Sequence, residues 1–171
     1  MTALLNIDRL DARLLSALSR DARIGIGELA SSLGIARNTV QARLRRLTDT
    51  KVLRGYRPEI DLAAVGIAVQ AFVALEIHQS ELQAIAHTLG DIPEVLEVHA
   101  TTGREDLLVR VATSTHAELQ RLVEHIVSLR GVTHSSTTLA LTTPLPYRID
   151  PLLQALTERS GWGRATPAPE A

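Results

Sequence analysis

Glu28-Leu-Ala-Ser-Ser-Leu-Gly-Ile-Ala-Arg-Asn-Thr-Val-Gln-Ala-Arg-Leu-Arg-Arg-Leu-Thr-Asp-Thr-Lys-Val-Leu-Arg-Gly-Tyr56 is the stretch that decides the fold. It reads as a short helix from Gly27 to Leu33, a turn at Gly34, and a second helix from Arg37 to Thr50 whose exposed side is rich in arginine. The first helix buries Leu29, Ala30 and Leu33, and the second buries the seam Val40, Leu44 and Leu47. That is the spacing of a helix-turn-helix, which sets one helix across a DNA backbone and lays the next in the major groove. Upstream, Asp8 to Arg20 predicts a further helix, capped by Asp8 with Asp11 in its first turn. Its stripe is Ile7, Leu10, Leu14, Leu15 and Leu18. Downstream, Val52 to Pro58 reads as a short extended segment with a turn, fit for a small wing or an exit strand, and Pro58 to Gly66 as a linker.

At 100° per residue, centring the buried seam on Val40, Leu44 and Leu47 turns Asn38, Ala42, Arg45 and Asp49 outward. Gln41 lies on one flank, Thr39 and Arg46 on the other, and Arg37 opens the helix. Asn38 and Gln41 have the amide geometry that pairs with adenine edges. Arg45 suits guanine or phosphate, and Arg46 phosphate. The expected DNA-binding set is therefore Arg37, Asn38, Thr39, Gln41, Ala42, Arg45 and Arg46. Arg43 lies closer to the seam and has two readings, bracing the motif through an acid or touching DNA.

The second half has a different period. Val69, Ala71, Val73, Leu75 and Ile77 share one face of a strand, with Gln70, Phe72, Ala74, Glu76 and His78 on the other. A helix from Ser80 to Leu89 follows, with Ser80 as its expected cap. Then come strands at Val95 to Thr101 and Asp106 to Ala112, a helix from Thr115 to Leu129 and a strand from Thr133 to Thr143. This βαββαβ order is the ferredoxin-like plan, an α+β fold. Helices on one face leave the other face wet or covered by a second subunit, and Phe72 and Ala74 there favour a partner. Beyond Pro144, Asp150 to Glu158 predicts a short helix docked through Leu152, Leu153 and Leu156. Gly161 to Ala171 has no periodicity and is expected to be mobile. The division expected is 1–57 for the helix-turn-helix, 58–67 for the linker, 68–143 for the sheet domain and 144–171 for a partly disordered tail.

Composition narrows the classes. The 171 residues are 45 % hydrophobic and 22 % charged, but aromatics are only 2 %, so the cores must be aliphatic. Net charge is −1, yet Met1 to Ile60 carries eleven Lys/Arg against six Asp/Glu, and the remainder seven against thirteen. A basic module joined to an acidic one fits a nucleic-acid-binding unit beside a unit with another task. No apolar run approaches the ~20 residues of a membrane span, and the N-terminus lacks a signal-peptide pattern. With no cysteine there is no disulfide framework, thiolate metal site or cysteine nucleophile. The six histidines (His78, His87, His99, His116, His125 and His134) form no ligand-spaced pair. No catalytic motif is found, and no metal, cofactor or membrane contact is expected; the location expected is cytoplasmic.

With these residues in place, the chain resembles the Lrp/AsnC, or feast/famine, family of transcriptional regulators from Ile7 to about Thr143. The resemblance rests on Ile7-Asp-Arg-Leu-Asp-Ala-Arg-Leu-Leu15, Glu28-Leu-Ala30, Gly34-Ile35, Arg43-Leu-Arg-Arg-Leu47 with Gly55-Tyr56, Thr102-Gly-Arg-Glu-Asp-Leu-Leu108, and Gly131-Val132. It implies a winged helix-turn-helix joined to a βαββαβ domain, called RAM, that dimerises through its sheet. It further implies assembly to tetramers, octamers or larger rings, a pseudo-palindromic double-stranded DNA site, and a small effector, usually an amino acid, held between dimers. By position it assigns Thr102, Gly103 and Asp106 to the effector loop with Leu107 beside it, and His116, Thr138 and Leu139 as secondary contacts.

The loop chemistry fits such a ligand: a carboxylate at Asp106 for an ammonium, and a glycine turn at Gly103 exposing amides for a carboxylate. The competing reading of the same residues is a hairpin turn with a solvated Asp106. The chain departs from the family pattern at Arg104, where an acid is usual, and at Leu107, where an aromatic is. It departs again at Lys51, where a glycine commonly ends the recognition helix. Two alternatives share the resemblance: an architectural DNA-wrapping protein with little effector response, and a sirohaem-decarboxylase-like enzyme, which would not need Arg43, Arg45 and Arg46.

Overall fold

The computed structural model describes residues 7–162. The chain forms two compact units, one running up to Glu59 and taken up again from Pro146, the other spanning Ile60–Leu145.

Three helices found the first unit: α1 (Arg9–Arg20), α2 (Ile26–Leu33) and α3 (Arg37–Asp49). Asp8 caps α1 in a reciprocal box: the Asp11 amide donates to the Asp8 carboxylate and the Asp8 amide to Asp11, both at 2.9 Å. Leu10, Leu14 and Leu18 meet Leu29, Ala30, Leu33 and Val40 in an aliphatic core. Burying each of the larger side chains stabilises the unit by roughly 2 kcal/mol. Gly34 ends α2 in the left-handed conformation (φ 65°, ψ 33°), which turns the chain sharply into α3. Just past the Thr50 cap of α3, Lys51 takes φ 59°, a position where a side chain costs energy and glycine does not.

The expected wing differs. Val52 to Pro58 contains no strand; it runs as an irregular, mostly exposed segment. Arg54, Gly55 and Tyr56 are all exposed, and only Leu53 packs on the core.

A further helix, α6 (Asp150–Thr157), belongs to this first unit and packs along α1. Its contact face keeps only Leu153 of the three expected leucines. Leu152 and Leu156 remain 55 % and 47 % exposed, whereas Thr157 is buried and Leu153 half-buried. The partner surface on α1, Ala12 and Ser16, is small, so a threonine fits where a leucine would hold the helices apart. The mobility expected of Gly161 to Ala171 falls, from residue 163 on, outside the described residues.

The second unit is a four-stranded antiparallel sheet of β1 (Val69–Ile77), β2 (Val95–Ala100), β3 (Leu107–Thr113) and β4 (Val132–Ala140), in the order β2-β3-β1-β4. Two helices, α4 (Leu82–Gly90) and α5 (His116–Val127), lie on one face. Alternation sets the register: Val69, Ala71, Val73, Leu75 and Ile77 pack with Leu107, Val109 and Val111 beneath Ile85, Leu89, Leu119, Leu122 and Ile126. The opposite face carries Phe72, 39 % exposed, beside Ala74 and Leu108. Thr115 caps α5 through a second reciprocal box with Glu118.

Ser80 does not cap α4. It sits inside a 3-10 turn, Gln79–Glu81, where the Glu81 amide donates to the His78 carbonyl at 2.8 Å and tightens the entry. The βαββαβ order, and the α+β class with it, stands as read from the sequence.

Candidate functional site

The outward side of α3 presents Arg37, Asn38, Gln41, Ala42 and Arg45, all exposed, with Thr39 half-buried on the flank. With Arg46, these are the seven candidate DNA contacts, and all of them lie on α3. No side chain caps α3: its N-cap is Ala36, whose carbonyl takes the amides of Thr39 and Val40. The positive end of the helix is therefore unneutralised by any acid in its first turn, which favours a phosphate. Arg37 lies over Gly27 of α2, where a Cβ would stand 3.2 Å from its guanidinium.

Behind this face lies an ion cluster. Arg43 donates to Asp8 at 2.6 Å and to Asp11 at 2.9 Å, and Arg46 donates to the other oxygen of Asp11. Asp11 has no solvent exposure and Arg43 little, so both charges are held by the cluster, Arg43 by Asp8 and Asp11, and Asp11 by Arg43, Arg46 and the Asp8 amide. Burial by itself would raise the Asp11 pKa. The Asp8 amide and the hydrogen bonds of Arg46 and Arg43, with the charge of Arg43, outweigh it and hold the carboxyl below the ordinary aspartate value. For Arg43, burial opposes the charge, and Asp8 and Asp11 more than restore it.

Arg43 therefore braces the motif through acids. Arg46 keeps 45 % exposure while tied to Asp11, so it reaches a phosphate only by sharing or leaving that pair. Asp8 and Asp11 as partners of α3 are what sequence reading missed. The signal was present: two acids three apart at the start of α1 and two arginines three apart on α3, each pair flanking a buried seam.

The effector candidates fall differently. The β2–β3 loop is closed by the Thr101 amide on the Asp106 carbonyl at 2.9 Å and by the Thr101 hydroxyl on the Glu105 carbonyl at 2.6 Å. Gly103 has φ 121°, a conformation closed to other residues. Thr102 and Gly103 are exposed. The Asp106 carboxylate accepts the Ile77 amide at 2.8 Å and the Gln79 side chain at 2.6 Å. Arg104 reaches back to Glu76 at 2.8 Å. Leu107 turns its side chain into the core, so only its backbone can meet a ligand.

Asp106 and its loop meet β1 at Leu75 to Ile77. Thr138 and Leu139 instead pair with Phe72 and Ala71 toward the far end, and His116 follows Thr113, the partner of Val69. β3 separates loop from helix by about 20 Å of strand. Within one chain the structure brings Thr102, Gly103 and Asp106 together at one end of the sheet and leaves His116, Thr138 and Leu139 toward the other.

Among the described residues no group of acids and histidines is placed to hold a metal, and no helix is long and apolar enough to cross a membrane.

Two family models match the chain: the AsnC-type helix-turn-helix domain over residues 7–48, and the Lrp/AsnC ligand binding domain over residues 70–149. The HTH-type transcriptional regulator FL11 of Pyrococcus horikoshii is 29 % identical over 147 residues, covering 83 % of this chain and 97 % of that protein. The HTH-type transcriptional regulator AldR of Mycolicibacterium smegmatis is 35 % identical over 69 % of this chain and 71 % of its own length. A Neisseria meningitidis transcriptional regulator, solved as a complex with L-Met, shares the fold with a TM-score of 0.78 at 22 % identity, covering 85 % of this chain and 99 % of its own.

Proposed function

The chain belongs to the Lrp/AsnC family of transcriptional regulators, and on that premise we propose that it reads a pseudo-palindromic double-stranded DNA site as a homodimer or larger assembly, under the control of an amino acid held between ligand-binding domains. In functional terms residues 1–57 read DNA, 58–67 link, and 68–143 assemble and bind the effector, in the cytoplasm. Asn38 and Gln41 meet base edges, Arg45 a base or phosphate, and Arg37 and Thr39 the backbone.

The observation that carries the effector half of this reading is the separation just described. A ligand that needs Asp106 for its ammonium and His116, Thr138 or Leu139 elsewhere finds them together only where two copies meet. The half-exposed Phe72, on the helix-free face of the sheet, offers an apolar surface for that assembly. That a regulator of the same fold was solved with L-Met supports an amino acid as the ligand class.

One observation favours a second reading, the DNA-wrapping protein with little effector response. Asp106 already serves Ile77 and Gln79, and Arg104 already serves Glu76, so the loop is stitched to β1 without a ligand.

Fluorescence anisotropy separates the two. DNA from upstream of the gene is compared with scrambled DNA at fixed salt, with and without a pool of the twenty amino acids. The proposal expects a preference for the upstream DNA, and a shift in affinity or assembly when the pool is added. A preference without a shift would leave a regulator whose signal is not an amino acid. Weak discrimination between the two DNAs would favour the wrapping protein.

A further inference from the structure

Both family matches end before α6 begins: the ligand-domain match stops at residue 149 and α6 starts at Asp150. FL11 is matched over nearly its whole length by only 83 % of this chain. Yet α6 and Trp162 belong to the DNA-binding unit, and α1 is built to receive them. Leu10, Leu14 and Leu18 face the core with α2 and α3, while on the opposite side of the same helix Ala12 and Ser16 are 1 % and 3 % exposed. A helix of a free-standing three-helix unit would leave that side in water.

Here Thr157 packs against it, 1 % exposed, with its hydroxyl turned onto the Leu153 carbonyl at 2.7 Å. Beyond α6 the Arg9 amide donates to the Gly161 carbonyl at 3.4 Å. Trp162 then lies under both arginines of this face, 4.5 Å from the Arg13 guanidinium and 5.9 Å from that of Arg9. Trp162 also packs on the core of Leu10 and Leu14.

The contact is not matched throughout. The Ser16 hydroxyl, one Asp150 carboxylate oxygen and the Trp162 indole nitrogen are buried without a hydrogen-bond partner among the described residues, and a groove of about 480 Å³ separates Arg9 and Arg13 from Gln154 and Glu158. The segment is held on α1 by the buried Thr157, the Arg9–Gly161 backbone bond and the Trp162 ring under its two cations.

We infer that α6 and Trp162 form a fourth wall of the DNA-binding unit and that Trp162 is a positioning residue for DNA recognition, holding α1, which in turn holds α3 through Asp8 and Asp11. This rests on the DNA-reading function proposed above. Trp162 touches no DNA in this account, so its loss changes affinity without changing the number of phosphates neutralised.

The test uses the full chain, unsubstituted and as Trp162→Ala, Trp162→Leu and Trp162→Phe. Trp162 is the one tryptophan of the sequence, so its fluorescence in the unsubstituted protein reports docking directly. Acrylamide should quench it far less in the folded protein than after denaturation. Titration with preferred DNA across a salt series then gives affinity and slope. Ala and Leu are expected to weaken binding about fivefold at an unchanged slope, and Phe, which keeps a ring for the cations, to stay near the unsubstituted value. Should Ala fail to fold, Leu keeps the apolar bulk and carries the test.

Full acrylamide access in the folded protein, or unsubstituted affinity in both Ala and Leu, would overturn the inference. A reduced salt slope would overturn it too, by making Trp162 part of the DNA contact. If the unsubstituted chain prefers no DNA while Trp162 is shielded, the DNA-reading function has failed first, and the positioning role falls with it.

Discussion

The two units solve the problem of placing polar groups in opposite ways. In the first, the candidate DNA contacts lie on α3, most of them on its exposed side, and the helix is fixed from behind by Arg43 with Asp8 and the buried Asp11, to which Arg46 also reaches from the flank. In the second, the candidate ligand residues divide between the two ends of a sheet, with Asp106 stitched to Ile77 and Gln79 at one end and His116 beyond Thr113 at the other. A helix can finish a site alone because i, i+3 and i+4 neighbours share a face. An antiparallel sheet spreads its loops over both ends, so residues from opposite ends do not meet within one copy. The candidate DNA contacts are thus gathered on one helix, and the candidate effector contacts are not gathered within one chain.

The largest expected effect tests the buried cluster. Asp11→Asn removes the one carboxylate that serves both arginines and leaves Arg43 with Asp8 alone, which should cost the first unit about 1.5–3 kcal/mol. Chemical denaturation should show that unit melting early while the sheet unit keeps its midpoint. An equal loss in both would end the contrast. The same cluster predicts a pH dependence. The folded Asp11 pKa lies below its unfolded value, so its stabilisation is present above about pH 4 and disappears as the pH falls through the depressed folded value. Stability of the first unit measured from pH 6 down to pH 2 should fall in that window, and Asp11→Asn should flatten the fall.

A smaller effect separates display from bracing on α3. Arg45→Ala should weaken DNA binding several-fold and lower the log–log salt slope by ~0.9 if it neutralises one phosphate. Arg43→Ala should instead lower thermal stability. A lowered slope for Arg43 at unchanged stability would move it to the displayed face. In the sheet unit, Asp106→Ala should abolish the effector response with DNA affinity intact, at a stability cost of ~1–2 kcal/mol for the freed Ile77 amide. Loss of DNA binding as well would make Asp106 purely structural. The smallest effect is a gain: Lys51→Gly should stabilise the first unit by ~0.5–1 kcal/mol, because φ 59° is strained for lysine, and thermal melting can resolve it.

What the sequence made legible follows the same divide. The seam of Val40 and Leu47 is a local, periodic signal, and it located α3 and its outward face within a residue or so. The alternation from Val69 to Ile77 placed β1 and the helix-covered face of the sheet. Reading failed where the answer depended on a distant partner. Leu152, Leu153 and Leu156 look like a docking stripe, but against the small surface of Ala12 and Ser16 only Leu153 is half-buried, and Thr157 takes the buried place. Ser80 looks like a cap, yet the His78 carbonyl draws the chain into a 3-10 turn. Val52 to Pro58 has strand-like residues and no partner strand. The opposed ends of the effector set could not be seen at all without the pairing of β1 with β3 and β4.

Whether the effector site takes one end from each of two copies is decided by a mixing experiment. Asp106→Ala and a His116→Ala/Thr138→Ala double variant are prepared separately, then dissociated and reassembled together. DNA anisotropy is read with and without the amino-acid pool. Each variant alone should bind DNA and ignore the pool. The mixed assembly should regain part of the unsubstituted response, since some junctions then join an intact Asp106 end to an intact His116 and Thr138 end. A mixture as unresponsive as its parents, with exchange of subunits verified, would contradict the shared site.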